Sequence, residues 1–226
     1  MGADTPRSEL RQDGFPGLGV PLPDLGLPRL MLLGRTVRYF GDVLIGQPMR
    51  RTSRITKLSP RETKSGKSAV VTVSHELNEA SRADPLIVET QTYIMMEAGP
   101  AVSRKDPVAT PAPAVTAITV VPDETLLFQY SALAFNSHRI HLDRNYARDV
   151  EGFPDLVVNG GLATLLLTEH LRTTHGAVPR SLSTRHMRPL LCGRPMGLQA
   201  EEADGKWSLS GFDETGLLAL AVEVET

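Results

Sequence analysis

One strongly apolar helical segment, placed between runs of strand-like sequence, most constrains how this chain can fold. Leucines form one side of residues 162–172, at Leu162, Leu165, Leu166 and Leu167. Glu169 and Arg172 fall on the opposite side, which is the periodicity of an amphipathic helix. Because strand-like runs precede and follow this helix, we expect it to bury its apolar side against a β-sheet.

Alternating or β-branched runs of strand length predict two groups of antiparallel strands. The first group comprises residues 36–40, 49–59, 68–77 and 86–96, and the second comprises residues 182–188, 195–201, 207–212 and 217–224. Between the groups, residues 126–134 are interpreted as a further strand. Residues 142–150 predict a short helix with Asp143 as its N-cap.

Proline-rich segments divide the chain. Residues 1–34 contain prolines at a spacing that forbids a long helix, so we expect an irregular arm whose leucines fold over the adjacent sheet. Residues 98–116 are rich in proline and alanine and are interpreted as a linker. We therefore predict an N-terminal half at 1–98, a linker at 99–121 and a C-terminal half at 122–226.

A short internal repeat relates the two halves. Residues 39–49 are YFGDVLIGQPM and residues 186–196 are HMRPLLCGRPM; both contain an apolar pair, one further residue and Gly-x-Pro-Met. In each half three predicted strands follow the repeat, which favours a duplication. An antiparallel sheet wrapped around one apolar helix is the hot-dog architecture. We therefore predict an α+β double hot-dog with two antiparallel sheets, in which the N-terminal helix is degenerate or missing.

Composition excludes several classes of protein. A formal net charge of -2 gives no argument for a nucleic-acid or anionic-membrane partner. No run reaches the roughly 20 apolar residues of a membrane helix. The lone Cys192 excludes an intramolecular disulfide and a cysteine-rich metal site. Because the N-terminus has no apolar signal core, we expect a cytoplasmic protein.

Groups that can move a proton lie close to the start of the long helix. His141 can accept or donate a proton near neutral pH, and the amide of Asn136 can hold a water molecule without adding charge. The segment Asn159–Gly161 supplies unpaired backbone N–H groups at a helix N-terminus, which suit a developing oxyanion. A base, a positioned water and an oxyanion hole are what the addition of water to a thioester-activated double bond requires.

Other interpretations of neighbouring residues are structural. Asp143 is expected to cap a helix, and His170 and His175 are expected on the surface or near a helix C-terminus, where the helix dipole favours positive charge. A metal site built from His138, His141 and Asp143 matches no standard ligand spacing. We therefore predict neither a metal nor a cofactor.

The central motif resembles that of the MaoC-like, R-specific enoyl-thioester hydratase family. Residues 135–143, FNSHRIHLD, are similar to the FNxHRIH-type motif of its double hot-dog branch. That branch includes itaconyl-CoA hydratase, mesaconyl-C4-CoA hydratase and the mitochondrial-type 3-hydroxyacyl-thioester dehydratases. The resemblance covers residues 122–226 clearly and residues 14–98 more weakly, and it implies a hydratase or dehydratase with a double hot-dog fold.

The resemblance also implies roles for particular residues. It places the catalytic histidine at His141 and the amides that bind the thioester oxygen at Gly160 and Gly161. Asn136 falls where the wider family has an acidic residue, so His141 must carry the proton transfer while Asn136 positions water. Asn159 stands where the wider family usually has a histidine, so the start of the helix differs.

The implied substrate is an acyl-CoA or acyl-carrier thioester, and the resemblance is compatible with a homodimer. Candidates to contact the substrate or the CoA phosphates are His138, Arg139, Arg185, Arg188 and Arg194. The branch resembled favours a short, branched dicarboxylic acyl group of the itaconyl-CoA or mesaconyl-C4-CoA type. Such a group needs a cation at its far end, which the sequence does not identify.

Three other functions stay open at this point. A 3-hydroxyacyl-thioester dehydratase of fatty-acid synthesis would run the same chemistry in reverse on longer acyl chains. A hot-dog thioesterase would use a carboxylate near the thioester carbon, and Asn136 argues against it. A non-catalytic acyl-binding scaffold would explain why Asn136 replaces an acid.

Overall fold

The computed structural model describes residues 5–63, 66–98 and 118–226. Its strands are β1 (Arg29–Tyr39), β2 (Met49–Thr63), β3 (Gly66–Glu79), β4 (Ile87–Met96), β5 (Ile118–Val120), β6 (Ser181–His186), β7 (Met196–Ala203), β8 (Lys206–Phe212) and β9 (Leu218–Glu225). Its α-helices are α1 (Glu124–Leu133) and α2 (Gly160–His175). Short 3-10 turns span Arg7–Glu9 and Arg139–His141, and a π-helical turn spans Tyr146–Val150.

All nine strands belong to one sheet, in the order β2-β3-β4-β1-β6-β9-β8-β7-β5. Across the sheet, the order β2-β3-β4-β1 is followed by β6-β9-β8-β7, which is its mirror image. Strands β1, β2, β3 and β4 therefore correspond to β6, β7, β8 and β9, respectively. This correspondence agrees with the duplication that the sequence repeat predicts. The two antiparallel sheets of the prediction are joined into one continuous sheet, because β1 pairs with β6 and each half thereby satisfies the backbone groups of an edge strand.

The junction of the two halves is a tight antiparallel contact. Arg35 lies opposite Thr184 and Val37 lies opposite Leu182. Gly34 allows the backbones to approach, since a Cβ at this position would lie 2.7 Å from the carbonyl oxygen of Thr184.

Helix α2 packs across the C-terminal strands as predicted, with a slightly different buried face. Leu167 and Leu171 are completely buried and contact strand residues such as Leu209 and Val222 in one core cluster. Leu165, which we expected on the apolar side, is 52% exposed. The helix ends at Gly176, whose positive φ of 66° and N–H bond to the Arg172 carbonyl oxygen form a left-handed C-cap.

An irregular arm takes the position of a helix in the N-terminal half. Its residues Leu18 and Leu27 are buried against strand residues that include Val71 and Tyr93. Within residues 5–63 and 66–98, the helical structure is limited to the short turn at Arg7–Glu9. The arm is shorter than predicted, because β1 begins within the predicted arm, and Leu25 stays exposed.

Two predicted elements differ from the structure around the linker. The strand predicted at 126–134 is helix α1, which the Asp123 carboxylate caps by accepting a bond from the Leu126 N–H. Short apolar runs do not distinguish a strand from a helix by periodicity alone. The end of the predicted linker forms β5, which pairs with β7, while residues 99–117 of the linker lie outside the described residues.

The helical segment after His141 follows the predicted cap. Asp143 Oδ1 accepts a hydrogen bond from the Tyr146 N–H at 3.0 Å, which confirms Asp143 as an N-cap, although the turn continues as a π-helix. The boundaries 1–98 and 122–226 stay a prediction. Among the described residues, no helix is long and apolar enough to cross a membrane.

The burial pattern of α2 predicts that two of its leucines contribute very differently to the free energy of unfolding. Leu167→Ala should lower the free energy of unfolding by about 2–5 kcal/mol, because it leaves a cavity under the sheet. Leu165→Ala removes the same atoms from an exposed position and should change it by less than about 1 kcal/mol. Urea unfolding of both variants measures this difference, and equal losses would contradict the packing described.

Candidate active site

A cavity of about 440 Å³ lies between the two halves, within the size range of small-molecule sites. It is bounded by the arm, the inner face of β1–β4, the loop before the Arg139–His141 turn and the N-terminus of α2. Among the predicted site residues, those that line it are His141, Asn136, His138, Asn159, Gly160, Gly161 and Arg188. The structure therefore brings together residues that the sequence separates by up to 52 positions (Asn136 to Arg188).

His141 is buried at the cavity wall, with one ring nitrogen committed to the backbone. Its Nδ1 lies 2.7 Å from the carbonyl oxygen of Val157. Because a carbonyl only accepts, Nδ1 carries the proton and Nε2 keeps its lone pair. Burial lowers the pKa of His141 to about 3, so the ring is neutral at physiological pH and is able to act as a base.

Local hydrogen bonds set the position of the histidine turn. Asn136 Oδ1 accepts a bond from the His138 N–H at 3.2 Å, so this side chain shapes the loop while its amide group borders the cavity. The Ile140 carbonyl oxygen accepts from the Val157 N–H at 2.9 Å. These bonds hold His141 against the segment that leads into α2.

The first turn of α2 leaves backbone donors uncommitted. The side chain of Asn159 does not cap the helix; its Nδ2 donates instead to Ser131 Oγ at 3.2 Å. In the described part of the chain, no acceptor binds the N–H groups of Gly160 and Gly161. Such groups carry partial positive charge at a helix start and can bind an oxyanion.

Two aromatic rings pack against these glycines, and the sequence analysis missed their role. A Cβ at Gly161 would lie 1.9 Å from the Tyr130 hydroxyl oxygen, and a Cβ at Gly160 would lie 2.8 Å from Cε1 of His186. Both rings line the cavity. Neither residue carried a sequence signal that pointed to the cavity, although His186 begins the second copy of the repeat.

The arm contributes a carboxylate that no sequence motif indicated. The buried Asp13 has Oδ2 3.8 Å from Nε2 of His138. The ring of His138 meets that of His141 edge-on, with centroids 5.5 Å apart. Burial lowers the pKa of His138, whereas the charge of Asp13 acts in the opposite direction. An acidic group therefore lies one ring away from His141, although Asn136 itself carries no charge.

Charged residues reach the cavity mainly from the N-terminal half. Arginines outnumber glutamates in the lining, which contains Arg29, Arg35, Arg51, Arg188, Glu89 and Glu151. Alternation along β1 is the sequence signal that could have placed Arg35 on the inner face, beside the buried Val37.

Three of the arginines proposed for CoA do not line this cavity. Arg139 pairs with Asp143 at 2.7 Å, and Arg194 pairs with Glu214. Arg185 is exposed on β6. Strand alternation and local ion pairs decide where each guanidinium points, and the part of these arginines in binding CoA stays a prediction.

Comparison with known proteins identifies the relatives of this chain. The family model for hydroxyacyl-thioester dehydratase type 2 matches residues 3–192. The chain is 39% identical over 224 residues to a mesaconyl-C(4)-CoA hydratase of Chloroflexus aurantiacus, with 93% of this chain and 79% of that protein covered.

Solved structures show the same fold at low sequence identity. HtdX of Mycobacterium tuberculosis superposes with a TM-score of 0.70 at 17% identity, with 91% of this chain and 79% of that chain covered. A conserved M. tuberculosis protein with a double hotdog fold superposes with a TM-score of 0.58 at 14% identity, with 86% of this chain and 74% of that chain covered. The double hot-dog architecture predicted from the sequence is thus confirmed.

Buried neutral histidines predict an acid-sensitive fold. Burial, followed by the nearby Arg35 charge, lowers the pKa of His186 from 6.5 to about 4. Between these values the unfolded chain binds a proton that the folded chain does not, so a falling pH destabilises the fold. His186→Gln should therefore reduce the loss of unfolding free energy between pH 7.5 and 5 by about 2 kcal/mol.

Urea unfolding at the two pH values, compared between wild type and variant, measures the effect. His175→Gln replaces an exposed histidine and serves as the matched control. Its unfolding free energy should fall between pH 7.5 and 5 by as much as that of the wild type. If both variants behave like wild type, His186 is solvated or protonated in the folded protein.

Proposed function

Because the chain belongs to the hydroxyacyl-thioester dehydratase type 2 family, we propose that it hydrates the double bond of a short, branched dicarboxylic enoyl-CoA. The protein is an enzyme of the hydratase and dehydratase class. The acyl group proposed is of the mesaconyl-C4-CoA or itaconyl-CoA type. One observation carries the proposal: a buried neutral His141 and two uncommitted glycine amides border the same cavity.

In the proposed reaction, the thioester oxygen accepts hydrogen bonds from the N–H groups of Gly160 and Gly161. These donors and the dipole of α2 stabilise the enolate that forms when water attacks the β-carbon. The water oxygen bonds to the β-carbon, and one of its protons passes to Nε2 of His141. His141 then returns a proton to the α-carbon, so the sum is one water added across the double bond.

Asn136 supports this reaction as a positioning residue for water. Its Oδ1 accepts from the His138 N–H, which leaves the amide nitrogen as a donor at the cavity. An amide cannot supply a proton at neutral pH, so His141 is both the base and the acid. The Val157 carbonyl keeps the required tautomer by accepting from Nδ1.

Two observations support a dicarboxylic acyl group. The curated relative at 39% identity is a mesaconyl-C(4)-CoA hydratase. The cavity lining also has an excess of arginine over glutamate among the described residues, which favours an anion. A long unbranched chain, as in fatty-acid synthesis, would gain little from the charged groups that β1 and β4 present.

The direct test is hydration of mesaconyl-C4-CoA, itaconyl-CoA and crotonyl-CoA by the purified protein. Products are identified by mass as a gain of one water, because an unconjugated double bond is optically silent. We expect the dicarboxylic substrates to react faster than crotonyl-CoA. His141→Ala should lower kcat by at least about 100-fold, because the group that transfers the proton is lost, whereas His175→Ala should not change it.

The other outcomes separate the alternatives. Release of free CoA thiol without hydration would make the protein a thioesterase. Faster turnover of crotonyl-CoA or longer unbranched chains would favour a fatty-acid dehydratase. Binding of acyl-CoA without either product would favour a scaffold.

The pH dependence of hydration tests the state of His141. Because burial lowers the pKa of His141 to about 3, the base form persists as the pH falls. We expect kcat/KM to change by less than about 2-fold between pH 7.5 and 5.5, whereas an unperturbed histidine would give about a 10-fold loss. Initial rates with protein shown to be folded by circular dichroism measure this. A fall with an apparent pKa near 6.5 would contradict the buried neutral base.

A further inference from the structure

We propose that Arg35 and the hydroxyl of Tyr130 form the subsite that binds the second carboxylate of the acyl group. This inference rests on the proposed hydratase function, and it identifies the cation that a dicarboxylic substrate requires. It also assigns the N-terminal half a direct role in substrate selection, since Arg35 lies on β1.

Strand register places Arg35 beside the start of α2. Arg35 lies directly opposite Thr184 on β6, and His186 is the next residue on the same face of that strand. Diagonal neighbours across two strands have Cβ atoms about 7–8 Å apart or less. His186 lies against Gly160 and feels the charge of Arg35, so the imidazole ring of His186 neighbours both the arginine and the start of α2.

Tyr130 approaches the same point from α1. Its hydroxyl oxygen would be only 1.9 Å from a Cβ at Gly161, so it lies against the backbone that supplies the oxyanion donors. Burial raises the pKa of Tyr130, and the Arg35 charge acts against this increase. In the described part of the chain, the Tyr130 hydroxyl makes no hydrogen bond, so it is a free donor facing the cavity.

Arg35 is held in place by an ion pair with Glu89, in which its Nε lies 2.7 Å from Glu89 Oε1. Within the described structure, Nη1 and Nη2 of Arg35 make no hydrogen bond, so these two terminal nitrogens remain available as donors. Glu89 is itself fixed, because Gln91 Nε2 donates to it at 2.6 Å and Tyr93 donates to Gln91 at 2.7 Å. A positioned guanidinium with open donors can bind a carboxylate in a bidentate manner.

Two other arginines of the lining are less suited to this role. Arg29 is committed to Glu151 through Nε at 2.7 Å and through Nη2 to the Glu151 carbonyl oxygen. Arg51 is exposed, and its Nε donates to Ser53. Arg35 therefore combines a position beside His186 with two terminal nitrogens that make no hydrogen bond in the described structure.

A carboxylate carried on the β-carbon lies close to the thioester carbon of the same acyl group. In such an acyl group three bonds separate the thioester carbon from the carboxylate carbon, which corresponds to about 4 Å, similar to the three-bond span between Cα atoms across a trans peptide. The carboxylate subsite must therefore lie in the same cavity as the glycine amides, as Arg35 and Tyr130 do. A substrate with a methyl group there would offer no acceptor to the terminal nitrogens of Arg35 or to the Tyr130 hydroxyl, at a cost in affinity.

The test compares two unreactive thioesters that differ only at this position. Succinyl-CoA carries the carboxylate and butyryl-CoA carries a methyl group. By calorimetry, we expect the wild type to bind succinyl-CoA at least about 10-fold more tightly than butyryl-CoA. Arg35→Met should raise the Kd for succinyl-CoA about 100-fold and should change the Kd for butyryl-CoA less than about 3-fold. Tyr130→Phe should raise the Kd for succinyl-CoA about 10-fold.

Kinetics extend the test to turnover. Arg35→Met should raise KM for mesaconyl-C4-CoA far more than for crotonyl-CoA. Arg38→Met removes an exposed arginine three residues further along β1 and should match wild type with both substrates. Arg35→Met alone leaves the Glu89 carboxylate without its ion-pair partner, and the double variant with Glu89→Gln avoids this. If the single and the double variant are both folded and show the same rise in KM for mesaconyl-C4-CoA, the rise reflects the lost guanidinium.

Outcomes that would overturn the subsite differ from those that would overturn the hydratase. The subsite is rejected if folded Arg35→Met loses affinity for succinyl-CoA and butyryl-CoA equally. It is also rejected if the wild type does not prefer succinyl-CoA. Retained preference for succinyl-CoA in Arg35→Met also rejects it. Hydration of none of the enoyl-CoA substrates by the wild type rejects the proposed function, while the binding comparison still reports on the carboxylate.

Discussion

The antiparallel pairing of β1 with β6 is the interaction on which the candidate site depends. It joins two halves of the same strand order into one sheet and aligns their inner faces. The glycine amides and His141 come from the C-terminal half, whereas Arg35 and Glu89 come from the N-terminal half. A shift of one residue in the β1–β6 register would turn Arg35 to the outer face of the sheet. The close backbone approach at Gly34, which this register requires, therefore affects which side chains reach the cavity.

Exclusion of water gives the site its electrostatic character. Burial lowers the pKa of His141, and the same low-dielectric surroundings strengthen the pull of backbone amides on a developing oxyanion. The arm contributes to this exclusion: the Arg139 N–H donates to the Asp13 carbonyl oxygen, and Phe15 packs against the ring of His138. An irregular segment can thus cover the N-terminal sheet in place of a helix and also close the wall beside the histidines.

Prediction succeeded where local pattern carries the information. Alternation placed most strands within a few residues, and Asp143 was assigned as a cap because capping involves neighbours three residues apart. It failed for α1, whose mixed apolar sequence has little periodicity. It also missed Asp13, Tyr130 and His186, since no local pattern places them beside the histidines and glycines of the site, and it favoured Arg139 and Arg194, which form ion pairs at the surface.

By itself, the sequence determined the duplicated strand pattern, the apolar helix that begins at two glycines, and the histidine motif on which the proposed chemistry rests. These features are encoded in near neighbours, through side-chain periodicity, turn residues and caps. Only the tertiary structure decided which side chains meet in the cavity. Arg29 and Glu151 are 122 positions apart, and the approach of Arg35 to the start of α2 follows from the β1–β6 register. Such contacts depend on the pairing of distant segments, and no local pattern specifies the partner.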